Sequence, residues 1–480
     1  MKNSLDFSSD EFKQILDKTS AMILMQYDLV HNQKGYNMYD HEEVSNWFDE
    51  PLPFEGSDVI GLLDEVQQRV INPATGNMGP NMYAYVMAGG NQISTIADLL
   101  ATTINQNVTK WHLAPSMTEI EKRVVKWTAE MIHYTDEAGG AMVSGGSEAN
   151  LAALTVARNV FFNKYNINRN GLFNMNPFIV YCSKETHNCC DKSIGLLGIG
   201  TNNMRRIETN SDFTINIEML QKQIIEDIKN GLTPFCVIGN AGTVNTGAID
   251  DLNSLSWISK KYEMWFHVDG AYGGLVSSLP SLRNKYAGMD KADSVALDFH
   301  KWLYQPFEIG CVLVRSWAMM RETYFSKADY LDSNADVILP RLEINEHYFQ
   351  LSRNAKAFKV WLSIKAYGFT RIQQMMQKDI ELTQYLSIII TESSDFEIKS
   401  TSDLAIVCFR YIGDSLTEEE IISVNKRLIP ALESDGSIFI TGTKLNGQFV
   451  IRACLINHRK TKESTRYLIE TIRRVAKKIV

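Results

Sequence analysis

From about residue 140 onward the chain spells short apolar runs that do not alternate with polar residues. They are Phe178-Ile179-Val180-Tyr181, Phe235-Cys236-Val237-Ile238, Trp265-Phe266-His267-Val268 and Gly310-Cys311-Val312-Leu313-Val314. A strand without alternation is one covered on both faces. Between several of these runs lie stretches with helical spacing, such as Ile217 to Lys229 and Leu252 to Lys261. Doubly covered strands separated by helices predict a largely parallel central sheet flanked by helices. Ligands of such sheets sit beyond the carboxyl ends of the strands, so the chemistry is to be sought there.

The flanking regions read differently. The first eighty or so residues alternate helical stretches with loops such as Asp49-Glu50-Pro51-Leu52-Pro53 and Asn72-Pro73-Ala74-Thr75-Gly76. Thr118-Glu119-Ile120-Glu121 has the spelling of a capping box and predicts a helix opening there, with Ile120, Val124, Trp127 and Met131 on one face. After Tyr348 helical spacing returns in Phe358, Trp361, Leu362 and Lys365. The tail then mixes strands, Ile438-Phe439-Ile440 and Phe449-Val450-Ile451, with helices. The expected division is a helical segment over 1–80, a large α/β domain over 81–355 and a smaller α+β domain over 356–480.

Composition narrows the function classes. With 480 residues, 45% hydrophobic and 22% charged, there is ample material for a large core. A net charge of −8 argues against nucleic acid as partner. The one short basic stretch, Arg473 to Lys478, reads as the solvated end of a last helix, where cations suit the helix dipole. The N-terminal residues carry no apolar h-region, and the apolar runs are too short to span a bilayer. Seven scattered cysteines, an odd number, do not make a disulfide framework. A cytoplasmic protein is expected.

Three segments carry candidate chemistry. Ser144-Gly145-Gly146-Ser147-Glu148-Ala149-Asn150 precedes a helical stretch and suits an anion cradle of backbone N–H groups at a helix start, with the Ser147 hydroxyl as a further donor. The same spelling also serves a plain turn and N-cap. His267-Val268-Asp269-Gly270-Ala271 follows an apolar strand. Asp269 there suits either a turn cap or a carboxylate that keeps a heterocyclic nitrogen protonated, and the small Ala271 lets a flat ring approach. Asp293-Ser294-Val295-Ala296-Leu297-Asp298-Phe299-His300-Lys301-Trp302 places Lys301 32 residues beyond Asp269, again after an apolar strand. A lone lysine is most often a solvated charge. In an apolar setting desolvation lowers the amine pKa and makes it a Schiff-base nucleophile, with His300 beside it able to donate to a phosphate.

An anion cradle, an aspartate and a His-Lys pair on one α/β sheet are what pyridoxal phosphate needs. With these motifs, Thr186-His187, Gly242-Thr243, Gly247-Ala248-Ile249-Asp250 and the segment Asn105 to Glu121, the chain resembles the group II pyridoxal-phosphate-dependent amino-acid decarboxylases, the family of aromatic-L-amino-acid and glutamate decarboxylases. The resemblance runs from about Met82 to Gly368 and is weaker in the tail. It implies an aspartate-aminotransferase-like (fold type I) architecture. It implies decarboxylation of an L-amino acid, aromatic favoured, to its amine and carbon dioxide through an external aldimine.

By the same resemblance Lys301 matches the lysine that holds pyridoxal 5'-phosphate as an imine, Asp269 the partner of the pyridine nitrogen, and Ala271 the residue packed on one ring face. His187 matches the histidine stacked on the other face, which helps orient the substrate carboxylate. Gly146, Ser147 and His300 match phosphate-binding positions, and Thr243 lies in a segment bordering the cofactor. Tyr330 fits a loop tyrosine that protonates the carbon losing carbon dioxide. Arg353 fits an arginine near the end of the large domain, and Tyr85 falls where the substrate pocket lies; Tyr85 and Trp111 suit an aromatic side chain. Members are typically homodimers, and Asn105 to His112 is the candidate segment lent to a partner.

The chain departs from the family pattern in a few places. Gly270 stands where many members have a second alanine, and Asp298 where animal aromatic decarboxylases have an asparagine. Cys189-Cys190 beside His187 invites a metal reading, but with no second cluster at ligand spacing the pair reads as buried small hydrophobes and no metal is expected. Competing functions are a carbon–carbon lyase of the sphingosine-phosphate type, an aldehyde-forming oxidative decarboxylase, and a catalytically silent binding protein, the last disfavoured because Lys301 and Asp269 are both present.

Overall fold

The computed structural model describes residues 5–163, 166–173, 175–326 and 341–480. The chain divides into two compact units: Met1–Met87 with Gln384–Lys399 and Cys408–Val480, and Ala88–Thr383 with Ser400–Val407.

Among the described residues, the second unit carries a seven-stranded sheet. Its strands are β1 (Gly139–Val143), β2 (Phe178–Ser183), β3 (Met204–Ile207), β4 (Thr233–Asn240), β5 (Trp265–Asp269), β6 (Ser294–Asp298) and β7 (Gly310–Val314), in the order β1-β7-β6-β5-β4-β2-β3. The four predicted apolar runs lie inside β2, β4, β5 and β7, and the predicted helices Ile217–Lys229 and Leu252–Lys261 form as read. Pairing is parallel from β6 through β5, β4 and β2 to β3. Strand β7 departs from the parallel expectation and runs antiparallel to both β1 and β6. Its link from β6, residues 299–309, is short for a crossover helix, which takes about a dozen residues or more.

Helix Gly146–Phe161 packs on the sheet through Ala149, Ala152, Ala153, Val156 and Ala157, which join Val143, Val180, Ile238, Ala296 and Val312 in one buried cluster. The small alanines let the helix backbone sit close to the strands. At the far end of that helix, Phe162 meets Phe178 and Phe235 at centroid distances of 3.9 and 5.2 Å. Each such ring contributes roughly 1.5–3 kcal/mol through burial.

The helix predicted to open at Thr118 in fact opens at Pro115 and runs to Met131. Proline suits the first helical position because the N–H it lacks would have had no partner there. Thr118 is therefore buried within the helix, its hydroxyl has no hydrogen-bond partner among the described residues, and Glu121 points inward.

The first unit contains helices Ser9–Leu29, Glu418–Asp435 and Lys462–Ile479. It also holds most of a four-stranded sheet formed by β8 (Phe396–Thr401), β9 (Ile406–Tyr411), β10 (Thr441–Leu445) and β11 (Gln448–Cys454), in the order β10-β11-β9-β8. Phe449 to Ile451 lies in β11, as predicted. Ile438 to Ile440 makes only an isolated bridge: Phe439 donates to Asn81 O and accepts from Tyr83 N–H, which uses its pairing at a single residue. The basic C-terminal stretch is partly engaged rather than simply solvated, since Arg473 pairs with Asp395 and Arg474 with Asp435, each at 2.6 Å. No helix among the described residues is long and apolar enough to cross a membrane.

Candidate active site

The strand register sets the floor of the site. Val143 of β1 and Asp298 of β6 both pair with Gly310 of β7, Ala296 of β6 pairs with Asp269 of β5, and Asp269 pairs with Asn240 of β4. The carboxyl ends of β1, β6, β5 and β4 thus share one edge of the sheet. The Gly146, Lys301, Asp269 and Thr243 segments follow directly from those ends, and His187 follows β2.

Lys301 sits in the short helix Phe299–Trp302, where its Nζ lies 2.8 Å from Asp298 Oδ2. Burial by itself pushes the Lys301 amine down, but the adjacent carboxylate outweighs it and the net shift is upward. The sequence expectation of an amine lowered by desolvation is corrected accordingly: the free lysine is held as an ammonium by Asp298. The other Asp298 oxygen, Oδ1, is buried without a hydrogen-bond partner among the described residues.

Around that carboxylate the backbone is glycine for a steric reason. A Cβ on Gly146 would stand 2.8 Å from Ala271 Cβ and 2.9 Å from Asp298 Oδ2, and one on Gly310 would stand 2.8 Å from Asp298 Oδ1. A Cβ on Gly145 would meet the His300 ring at 3.1 Å. Glu148 ties this loop down, accepting from Ser144 N–H and Oγ–H at 2.6 Å and from the Tyr348 hydroxyl at 2.9 Å. The buried His300 ring accepts the Ile309 N–H at Nδ1, which leaves Nε2 as the donor. Burial pushes its pKa down, so that donor is a neutral imidazole. Ser147 is exposed at the start of helix Gly146–Phe161.

Asp269 is buried at the end of β5, and its Oδ1 accepts the Ala271 N–H at 3.2 Å. Oδ2 has no hydrogen-bond partner among the described residues, so it is available to a protonated ring nitrogen. His187 is exposed, its Nδ1 accepts the Cys189 N–H at 3.1 Å, and its pKa is raised chiefly by hydrogen bonding to Cys189. Thr243 is buried; its Oγ1 lies 2.9 Å from Thr246 Oγ1 and accepts the Ala248 N–H at 3.1 Å. A glycine-walled anion cradle, a spare carboxylate oxygen and an amine on one sheet edge fit a phosphate-bearing, cationic flat ring.

A polar chain that the sequence reading did not single out supports this floor. Trp265 Nε1–H donates to Ser294 Oγ at 2.9 Å, and that hydroxyl lies 2.9 Å from His267 Nδ1. His267 Nε2 lies 2.7 Å from Asn150 Oδ1. Asn150 Nδ2 in turn donates to Gly146 O at 2.8 Å and to Cys189 Sγ at 3.6 Å. The fixed donors at both ends orient the whole chain and keep His267 neutral; burial pushes its pKa down to about 4. The sequence signal for this was faint: one histidine in an apolar strand and one asparagine in an alanine-rich helix.

The cysteine pair is buried as predicted but is not apolar in its setting. Cys189 accepts from Asn150, and hydrogen bonding from Cys190 pushes its pKa down.

One predicted residue, Arg353, is not part of this cluster. Arg353 is buried with its guanidinium on Glu121, at 2.6 and 3.1 Å, and on the carbonyls of Met142 and Val108. Tyr85 belongs to the first unit, exposed, edge-on to the Phe439 ring at 6.1 Å. Tyr330 lies outside the described residues.

Comparison with known proteins places this geometry. Residues 42–412 match the pyridoxal-dependent decarboxylase conserved domain. The chain is 33% identical over 480 residues to an aromatic-L-amino-acid decarboxylase of Bacillus atrophaeus, covering 100% of this chain and 98% of the relative. The structure of Oryza sativa TDC with PLP and tryptamine superposes with a TM-score of 0.93 at 22% identity, covering 99% of this chain and 100% of the other. Tryptophan decarboxylase of Catharanthus roseus in complex with L-tryptophan gives 0.89 at 23% identity, with the same coverage of 99% and 100%.

Proposed function

Since the chain belongs to the pyridoxal-dependent decarboxylase family, and is therefore a pyridoxal-phosphate-dependent carboxy-lyase acting on an amino acid, we propose that its substrate is an aromatic L-amino acid and that Lys301 carries the cofactor. The observation that carries the site assignment is the meeting of Lys301, Asp269 and the Gly145–Gly146 cradle on one sheet edge. The full-length bacterial relative supports the aromatic substrate.

When bound, pyridoxal phosphate supplies the electron sink for the bond that breaks as carbon dioxide leaves. The rest is work for this chain's residues. Asp269 Oδ2 would hold a proton on the ring nitrogen, and Ala271 and His187 would hold the ring from either side. The backbone N–H groups at Gly146 and Ser147, with His300 Nε2–H, hold the phosphate. Thr243 borders the ring. Asp298 keeps the free Lys301 amine protonated until the cofactor arrives. Tyr330 protonates the α-carbon and Tyr85 borders the substrate side chain. Arg353 we assign to bracing the floor through Glu121 rather than to touching substrate. A homodimer in the cytoplasm, with 105–112 lent to the partner, completes the reading.

The test is a screen of the common L-amino acids for amine and carbon dioxide, with aldehyde, peroxide and ammonia assayed in parallel. Release of amine from aromatic substrates alone is expected. Preference for an acidic or basic amino acid would overturn the aromatic assignment, and stoichiometric aldehyde with peroxide would move the reaction to oxidative decarboxylation.

A further inference from the structure

The carboxylate assigned to the ring nitrogen has two sulfur neighbours for which decarboxylation has no use. Cys189 Sγ, Cys190 Sγ and an Asp269 carboxylate oxygen all lie within 4.8 Å of one another. All three residues are buried, and they come from two separate elements, the first turn of helix Cys189–Leu196 and the end of β5. The fold, rather than one pliable loop, brings them together. That third ligand is what the sequence could not supply for the Cys-Cys pair.

Two thiols and a carboxylate are a soft, borderline ligand set, suited to zinc or cadmium and unsuited to magnesium or calcium, which take oxygen ligands. A tetrahedral zinc centre, with Zn–S about 2.3 Å and Zn–O about 2.0 Å, keeps its ligand atoms roughly 3.3–3.8 Å apart. From the 4.8 Å limit the set closes by shifts of about an ångström. The Asn150 amide, 3.6 Å from Cys189 Sγ, supplies an N–H···S contact of the kind that supports a metal-bound thiolate. Each sulfur gives its proton to water as it coordinates.

We propose that the cofactor-free protein binds one thiophilic divalent cation through Cys189, Cys190 and Asp269, and that this cation and the cofactor exclude each other. The exclusion, though not the binding, rests on the reading of Asp269 as the ring-nitrogen partner. A cell short of cofactor and rich in such a cation would hold the enzyme in a closed, metal-loaded reserve.

Cofactor-stripped full-length protein is to be dialysed against cadmium, with bound metal and the ultraviolet sulfur-to-cadmium charge-transfer band as readouts. One cation per chain is expected. C189S and C190S should each weaken binding at least tenfold, and D269N should weaken it while keeping the band. Circular dichroism and uptake of pyridoxal phosphate by C189S and C190S show that these variants are folded. Titration of pyridoxal phosphate into the cadmium-loaded protein should release the cation as the visible absorbance of bound cofactor grows. Absence of cadmium binding in protein that takes up cofactor normally overturns the cation site and leaves the Asp269 reading intact. Cation and cofactor bound together overturn the exclusion and, with it, the Asp269 reading, while the thiol site stands. Binding that survives the C189S/C190S double variant overturns the ligand assignment.

Discussion

Arg353 with Glu121, and Lys301 with Asp298, are both cation–carboxylate pairs within the same unit, and they are finished to different degrees. The guanidinium of Arg353 meets both Glu121 oxygens and two backbone carbonyls, and Glu121 also accepts the Met142 N–H at 3.1 Å. Lys301 makes a single 2.8 Å contact, and one oxygen of its partner has no hydrogen-bond partner among the described residues. A buried pair with both carboxylate oxygens engaged, and only the Arg353 Nε–H left without a partner among the described residues, holds two segments in place and gains nothing by changing. A pair left incomplete can exchange its cation for something else. The difference separates a brace from a reactive corner better than burial or charge does.

The sharpest way to break the comparison is to remove each cation or carboxylate in turn. Lys301→Ala is expected to cut turnover by about 10⁴-fold or more, in line with losses of a covalent catalytic residue, and to abolish borohydride-trapped cofactor at that site. Chemical denaturation of the same variant should show little loss of stability; a large loss would make Lys301 a brace after all. Glu121→Gln should do the reverse, costing about 3–5 kcal/mol of stability by stranding the Arg353 charge. Turnover per folded molecule should change far less than in the lysine variant. A smaller effect belongs to the polar chain beneath the cradle. The unfolded His267 ring takes a proton below about 6.5 and the folded ring only below about 4, so this contribution to stability is full above pH 6.5 and is lost as pH falls toward 4. It amounts to about 3 kcal/mol. His267→Gln, measured by denaturation across that window, should lack this acid sensitivity. The difference between the two proteins isolates it from Asp250, whose pKa burial raises to about 6 with the opposite sign.

The smallest expected effect is the most diagnostic of the open pair. In Asp298→Asn the largest opposition to burial of the lysine amine is removed, so its pKa falls. The pH midpoint for reattaching cofactor to stripped enzyme should drop by about one unit or more. An unchanged midpoint would mean that Asp298 does not control the protonation of Lys301.

Much of this was legible in the sequence because strands buried on both faces betray themselves as unbroken apolar runs. Asp269 and Lys301 were legible because each follows such a run, and the Gly145–Gly146 turn because a helical stretch follows its glycines. What escaped was set by partners distant in the chain. Glu121 reads as a capping residue until Arg353, more than two hundred positions away, is seen to face it. Asp298 is the exception: its partner Lys301 is only three positions on, and the spelling reads as a variation on an asparagine until the 2.8 Å contact is seen. The cysteine pair reads as apolar filler because neither Asn150 nor Asp269 is near it in sequence. The direction of β7 was hidden for the same reason, since apolar spelling does not say which way a strand points.

That reversed strand has a consequence for how the enzyme is made. Strand β1 precedes the cradle and β6 leads into the lysine, and the two reach each other only across β7. The sheet's neighbours near residues 140 and 312 are among its most distant in the chain, and long-range pairings of this kind are slow to form. A half-folded chain that lacks β7 therefore cannot bring the cradle beside the lysine. In refolding, the visible absorbance of bound pyridoxal phosphate should appear after secondary structure has returned, so cofactor capture reports that the large sheet has closed around β7.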